Sequence, residues 1–154
     1  MIELLGVSKT YVTGADPVHA LRKVDLRIDS GEFLSIMGQS GSGKSTLMKI
    51  ICRYLKQDHG KVKVCNLETT EDDTLIKSKI GYLPENNPIY GDLLACEYLE
   101  FVADLRGMSK KERRENLERT VDETGISEVY YRPINQLSKG YRQRVGLAGA
   151  ILHR

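Results

Sequence analysis

Alternation of apolar and polar positions marks the opening of the chain. Val24, Leu26 and Ile28 alternate with Asp25 and Arg27, the period of a half-buried strand, and residues 18–28 read as one strand. Residues 2–7 alternate less cleanly and predict an edge strand, followed by a turn-rich piece through Gly14, Asp16 and Pro17. Asp29, Ser30 and Gly31 turn the chain into residues 32–37, a short apolar run that predicts a buried strand. The period then changes. Residues 46–55 space their apolar side chains as a helix does, with Gly60 as a left-handed cap beyond. Residues 61–65 alternate as a strand, 66–79 are polar with room for a short helix around 73–77, and 80–83 predict one more strand.

The second half reads as helices. Residues 93–107 predict a helix stopped by Gly107, with Leu94, Tyr98, Phe101, Val102 and Leu105 facing inward. Ser109 and Glu112 form a capping box that opens the next helix, with Leu117 and Val121 inward and Gly125 at its end. Residues 127–131 add a turn that Pro133 stops. Ser138 is a natural N-cap for a last small-residue helix. These elements describe an α/β chain. An N-terminal antiparallel β subdomain leans on a partial parallel sheet, and a helical insert spans about residues 92–137. Residues 1–91 and 138–154 would form the core around it.

Composition narrows the classes. The chain has 154 residues, 40% hydrophobic and 29% charged, which is ordinary for one soluble domain. A net charge of +2 gives no reason to expect a nucleic-acid surface, and the mixed-sign run at 110–115 reads as a solvated helix face. No apolar run approaches the roughly 18–20 residues that cross a bilayer, and the first residues do not look like a signal peptide. Cys52, Cys65 and Cys96 are widely spaced and read as reduced thiols of a cytosolic protein; His19 reads as a surface strand residue.

The candidate chemistry is concentrated at residues 38–46. Gly38, Gln39, Ser40, Gly41, Ser42, Gly43, Lys44, Ser45 and Thr46 fit G-x-x-x-x-G-K-[ST], between a predicted strand and a predicted helix. The glycines let backbone N–H groups turn inward, and the new helix offers unpaired N–H groups and the positive end of its dipole. A phosphate fits there. Lys44 would reach the outer phosphates as a point charge, Ser45 would hold Mg²⁺ through its hydroxyl, and Thr46 would line the cradle.

Three further positions carry two readings each. Tyr11 is either a platform for a base or a half-buried sheet tyrosine. Glu85 lies in a proline-bounded loop beyond residues 80–83, where it either approaches the metal and its water or is a solvated carboxylate. Ser138 and Gly140 either cap an ordinary core helix or present a second helix N-terminus to a phosphate.

The phosphate loop together with Leu137-Ser138-Lys139-Gly140-Tyr141-Arg142-Gln143-Arg144 resembles the ATP-binding subunit of ABC transporters. The second stretch matches that family's signature LSGGQxQR, and the resemblance covers all 154 residues with the motifs in family order. Residues 81–90 and 137–144 look most like the gliding-motility or multidrug type, and residues 11–46 as much like the lipoprotein-release type. The resemblance implies an ABC-type P-loop NTPase fold, ATP and Mg²⁺ as cofactors, and adenine stacking by Tyr11. It places Glu85 at the Q-loop position, where the family has Gln, and near the metal. Lys139, Tyr141 and Gly149 also depart from the usual residues.

It further implies a head-to-tail dimer with a second ATP-binding subunit. Ser138 and Gly140 would then meet the ATP of the opposing subunit. Permease subunits in the membrane would be partners, with the chain cytoplasmic and peripheral on the inner face of the cell membrane. The family's Walker B Asp-Glu pair and its later switch His lie past the position of Arg154. From this, binding of ATP without efficient hydrolysis is expected of these residues, with unpaired sheet edges and low stability or completion by another chain. The alternatives are a soluble ABC-type ATPase acting on nucleic acid or ribosomes, which would show paired cassettes or a long inserted arm, and a non-catalytic nucleotide-binding remnant. A small nucleotide kinase would need an acceptor site and an arginine-rich lid.

Overall fold

The computed structural model describes residues 1–13, 16–68, 73–85 and 89–154. The chain divides into two compact units, Met1–Lys79 and Ile80–Arg154.

In the first unit, β1 (Ile2–Thr13) pairs antiparallel with β2 (Asp16–Ile28) on one side and β3 (His59–Val64) on the other. β4 (Leu67–Glu68) completes a sheet of order β2-β1-β3-β4. Residues 2–7 are therefore interior to the sheet, not an edge strand. Their weak alternation has a local cause. The register of β1 shifts between Leu4 and Val7, Gly6 adopts φ 60°, and its N–H donates to Asp25 Oδ1 at 2.6 Å. The bulge takes one residue out of step, so that Leu4 and Val7, three apart, are both buried. Val62 and Val64 of β3 are buried as well. Between β3 and β4, Cys65 and Asn66 both have positive φ, at 51° and 65°, as a two-residue type I′ turn requires. The expected turn residue Gly14 lies outside the described residues.

α1 (Lys44–Ile51) is shorter than the helix expected to residue 55. Cys52 caps it, and Arg53 at φ 59° has already left the helical region. Gly60 is not its cap. It lies in β3 at φ 87°, where a Cβ would stand 2.5 Å from the carbonyl oxygens of Leu5 and Gly6. That glycine serves a close strand approach. α2 (Asp73–Ser78) fills the expected short helix.

Two predicted strands are absent. Residues 32–37 form no ladder, and Phe33 is 94% exposed and Met37 87%. Residues 80–83 form none either. An apolar run becomes a buried strand only when neighbours supply its hydrogen bonds and cover its faces. Among the described residues nothing pairs with either run, and no parallel pair is found.

The second unit packs α3 (Ala95–Leu105), α4 (Lys110–Thr124) and α5 (Lys139–Ile151), with 3₁₀ turns at Ser127–Val129 and Ile134–Gln136. Ala95, Leu99, Ile126, Val129, Ile134, Leu137, Val145 and Ala148 form its core. The fully buried positions of α3 are Ala95, Cys96, Leu99 and Ala103, one position round from the expected stripe; of that stripe Tyr98 does pack against the core, whereas Phe101 and Leu105 are exposed. Small residues at 95, 96 and 103 let the backbone of α3 come close to its neighbours. Leu117 and Val121 do pack against the core, and Thr120 and Thr124 are buried beside them. Helix ends follow the expected chemistry. Glu112 N–H donates to Ser109 Oγ at 3.3 Å, Ser109 N–H donates to Glu112 Oε2 at 2.9 Å, and Gly125 closes α4 at φ 60°. The N–H groups of Ala95 and Cys96, at the start of α3, donate to the carbonyls of Arg132 and Tyr130 at 3.0 and 2.8 Å.

Candidate functional site

In the first unit the phosphate loop is built around glycines, of which Gly43 is the most constrained. Gly43 caps α1 at φ 90°, and a Cβ there would lie 2.4 Å from the Ala20 carbonyl oxygen on β2. Gly41 stands at φ 82°. A Cβ on Gly38 would lie 2.7 Å from Ser42 Oγ. The loop thus closes on itself, with Ser42 N–H donating to the Gln39 carbonyl at 3.2 Å. Leu47 N–H takes the Gly43 carbonyl at 2.9 Å. The N–H groups of Lys44, Ser45 and Thr46 come before that first intrahelical bond and are left to whatever sits over the helix start.

Lys44 folds back over the loop. Its Nζ donates to the carbonyls of Gly38 and Gln39, both at 2.7 Å, and to Ser42 Oγ at 3.1 Å. A cation held by neutral acceptors can exchange them for an anion at small rearrangement, because charge-assisted bonds are the stronger ones. Ser40 and Ser45 are exposed, and Thr46 is half-buried. Thr46 Oγ1 lies 3.5 Å from Tyr11 Oη, so the sheet tyrosine reaches the first turn of α1. Tyr11 remains 37% exposed, with Lys9 Nζ 6.0 Å from its ring centroid.

Two neighbours of this site gave no sequence signal. The Ala20 carbonyl is a backbone group, silent in any residue pattern. Lys9 is fixed by Asp58 from far along the chain. Lys9 Nζ donates to Asp58 Oδ1 at 2.6 Å and Thr10 N–H to Asp58 Oδ2 at 2.7 Å. These bonds, the lysine's first, hold the Asp58 carboxyl below its usual range.

In the second unit Ser138 caps α5 as expected, its Oγ accepting from Tyr141 N–H at 3.3 Å. Ser138, Lys139 and Gly140 are exposed, and α5 has no acidic residue in its first turn. A Cβ on Gly140 would meet nothing nearer than Ser138 Oγ at 3.9 Å, so nothing inside this unit demands glycine there. Glu85 is exposed, and its carbonyl accepts from Gln143 Nε2 at 3.4 Å. Residues 86–88 of its loop lie outside the described residues. The segment leading to it is anchored although it is no strand: Arg106 Nη2 donates to the Ile80 carbonyl at 3.3 Å, and a Cβ on Gly81 would lie 2.2 Å from the Ala150 carbonyl oxygen. The contacts of Tyr141 with Glu128 and of Arg144 with Gly125 were not foreseen, because they join helices through the tertiary fold.

The arrangement in the first unit is a cationic, amide-lined cradle suited to a polyphosphate. The family model described as ABC transporter matches residues 21–154. The uncharacterized ABC transporter ATP-binding protein MJ0796 of Methanocaldococcus jannaschii is 40% identical, the alignment covering 98% of this chain and 68% of that one. The macrolide export ATP-binding/permease protein MacB of Aggregatibacter actinomycetemcomitans is 34% identical, over 99% of this chain and 24% of its own length. Among solved structures, the dimeric post-hydrolysis state of MJ0796 bound to ADP and Pi superposes with a TM-score of 0.85 at 34% identity, covering 99% of this chain and 70% of that one.

Proposed function

The chain belongs to the ABC transporter family of ATP-binding domains, and from that premise we propose that it is an ATP-binding subunit coupling ATP binding and hydrolysis to transport through partner membrane subunits. The observation that carries this reading is Lys44 Nζ, poised on the carbonyls of Gly38 and Gln39 beside the bare N–H groups that open α1. The residues present fit a nucleoside triphosphate with Mg²⁺. Residues 38–46 would hold the phosphates, Ser45 Oγ would be an oxygen ligand for the metal, and Glu85 is assigned to the metal or its water. Tyr11 would carry the base on its exposed face. Mg²⁺, when bound, neutralises charge on the phosphate oxygens. Lys44 orients and neutralises the outer phosphates, and the loop amides exclude water from their inner side.

Pairing with a second ATP-binding subunit is part of the reading. MJ0796 is described as dimeric when bound to ADP and Pi. In a head-to-tail pair, Ser138 and Gly140 would face the nucleotide of the opposing subunit. The exposure of Ser138 and Gly140 at the start of α5 leaves room for a partner to approach. MacB is named as an ATP-binding/permease protein in one chain; for this chain we assign the permease to transmembrane partner subunits, with the chain peripheral on the inner face of the membrane. Among the described residues no helix is long and apolar enough to cross a membrane.

Calorimetric titration with ATP, with and without Mg²⁺, tests the reading. Saturable, magnesium-strengthened binding that weakens at least about tenfold in Lys44→Ala is expected. Equal binding by the wild type and Lys44→Ala overturns it.

A further inference from the structure

Tyr141 occupies the fifth position of the signature stretch, and its surroundings give it a task. Its side chain packs against the core of the second unit. Its hydroxyl donates to Glu128 Oε2 at 3.3 Å, in the 3₁₀ turn that follows α4. The Arg144 guanidinium lies 5.5 Å from its ring centroid and donates to the Gly125 carbonyl at 3.4 Å. So the first two turns of α5 are tied twice to the chain just beyond α4, through the Tyr141 hydroxyl to Glu128 and through Arg144 to Gly125. The same residue's backbone N–H donates to Ser138 Oγ. A hydroxyl that accepts from an N–H on one lone pair keeps its own proton for a second partner.

We propose that Tyr141 is a positioning residue of the signature turn. Held between the Glu128 carboxylate and the Arg144 guanidinium, it fixes the backbone N–H that orients Ser138, so that the Ser138 proton points away from α5 and is free for a phosphate oxygen of the opposing nucleotide. A tyrosine so tethered acts through Ser138 and does not itself reach for the nucleotide. Where the resemblance would lead one to expect glutamine, this chain places a ring tethered within its own subunit. This inference rests on the head-to-tail reading given above.

The test is ATP-driven association of the full chain, followed by sedimentation in Mg-ATP beside calorimetric ATP affinity. Tyr141→Phe keeps the ring and the Arg144 contact and removes the tether to Glu128; Glu128→Ala removes it from the other side; Glu128→Gln keeps an acceptor. Tyr141→Phe and Glu128→Ala are each expected to weaken association about 2–10-fold, the worth of one net hydrogen bond, with ATP affinity unmoved. The two together are expected to be no worse than either alone, with Glu128→Gln restoring most of the loss. Melting curves that coincide with the wild type would exclude a merely structural effect. Association unchanged in Tyr141→Phe and Glu128→Ala overturns the role of Tyr141 while the parent reading stands. Association lost in Tyr141→Phe together with the cooperative melt assigns Tyr141 to structure only and overturns it too. A wild type that binds ATP but never associates sinks the head-to-tail reading and this inference with it.

Discussion

The ring of Tyr98 lies across the bare α carbon of Gly149. A Cβ built at Gly149 would stand 3.1 Å from both Tyr98 Cε1 and Tyr98 Oη, inside ordinary contact. Gly149 is buried in α5, and burial raises the Tyr98 hydroxyl above its usual pKa. The space over Gly149 is filled by an aromatic ring from α3.

That contact predicts opposite responses to small and large substitutions. Gly149→Ala gains about 1 kcal/mol of helix propensity and needs only a few tenths of an ångström from the ring. Gly149→Val overpacks the site and should cost about 1–3 kcal/mol. Chemical denaturation of both variants, and of Gly149→Val in a Tyr98→Ala background, checks this. The valine's cost should shrink once the ring is gone.

The two functional glycines should separate stability from binding. Gly43→Ala forces a side chain onto φ 90° and into the Ala20 carbonyl, so both the melting temperature and ATP binding should fall. Gly140→Ala meets open space and should leave the melt unchanged while weakening ATP-driven association. Differential scanning fluorimetry beside sedimentation in Mg-ATP distinguishes the pair. A destabilised Gly140→Ala would contradict the reading of that site.

Acid sensitivity should have an identifiable contributor. Hydrogen bonds from Lys9 and then from Thr10 lower the Asp58 pKa in the folded chain. A lowered carboxylate pKa adds stability above its unfolded value of about 3.9, and that stability is lost as pH falls through the folded value. Glu112 acts in the same direction, held by Ser109. Asp58→Asn should therefore flatten the stability profile below about pH 4 and change it little in shape above. Urea midpoints measured from pH 7 to pH 2 give the slope directly.

The capping box of α4 should behave as a local module. Ser109→Ala removes the acceptor for Glu112 N–H at the start of a helix that is mostly charged. The loss should be about 0.5–2 kcal/mol, seen as earlier unfolding of the second unit in hydrogen exchange. Ser109→Asp should recover most of it.

Local chemistry was legible in the residues themselves. The loop at 38–46 needs only nine consecutive positions, and its glycines, Lys44 and helix start follow from steric and electrostatic rules that act within one turn. The same holds for Ser109 with Glu112, for Gly125 and for the Ser138 cap, where donor and acceptor are four residues apart or fewer. What the sequence could not settle depended on neighbours far along the chain. Residues 2–7 became an interior strand because β3 arrives on their other side and a bulge at Gly6 shifts their period. Residues 32–37 and 80–83 have the composition of buried strands, yet burial belongs to the partners that pair with a strand and not to the strand. α3 turned its small residues inward because helix packing rewards close backbone approach over the largest apolar stripe. The contacts of Lys9 with Asp58, Tyr11 with Thr46 and Tyr141 with Glu128 exist only once the fold has closed loops of many residues, and no pattern within a single element encodes them.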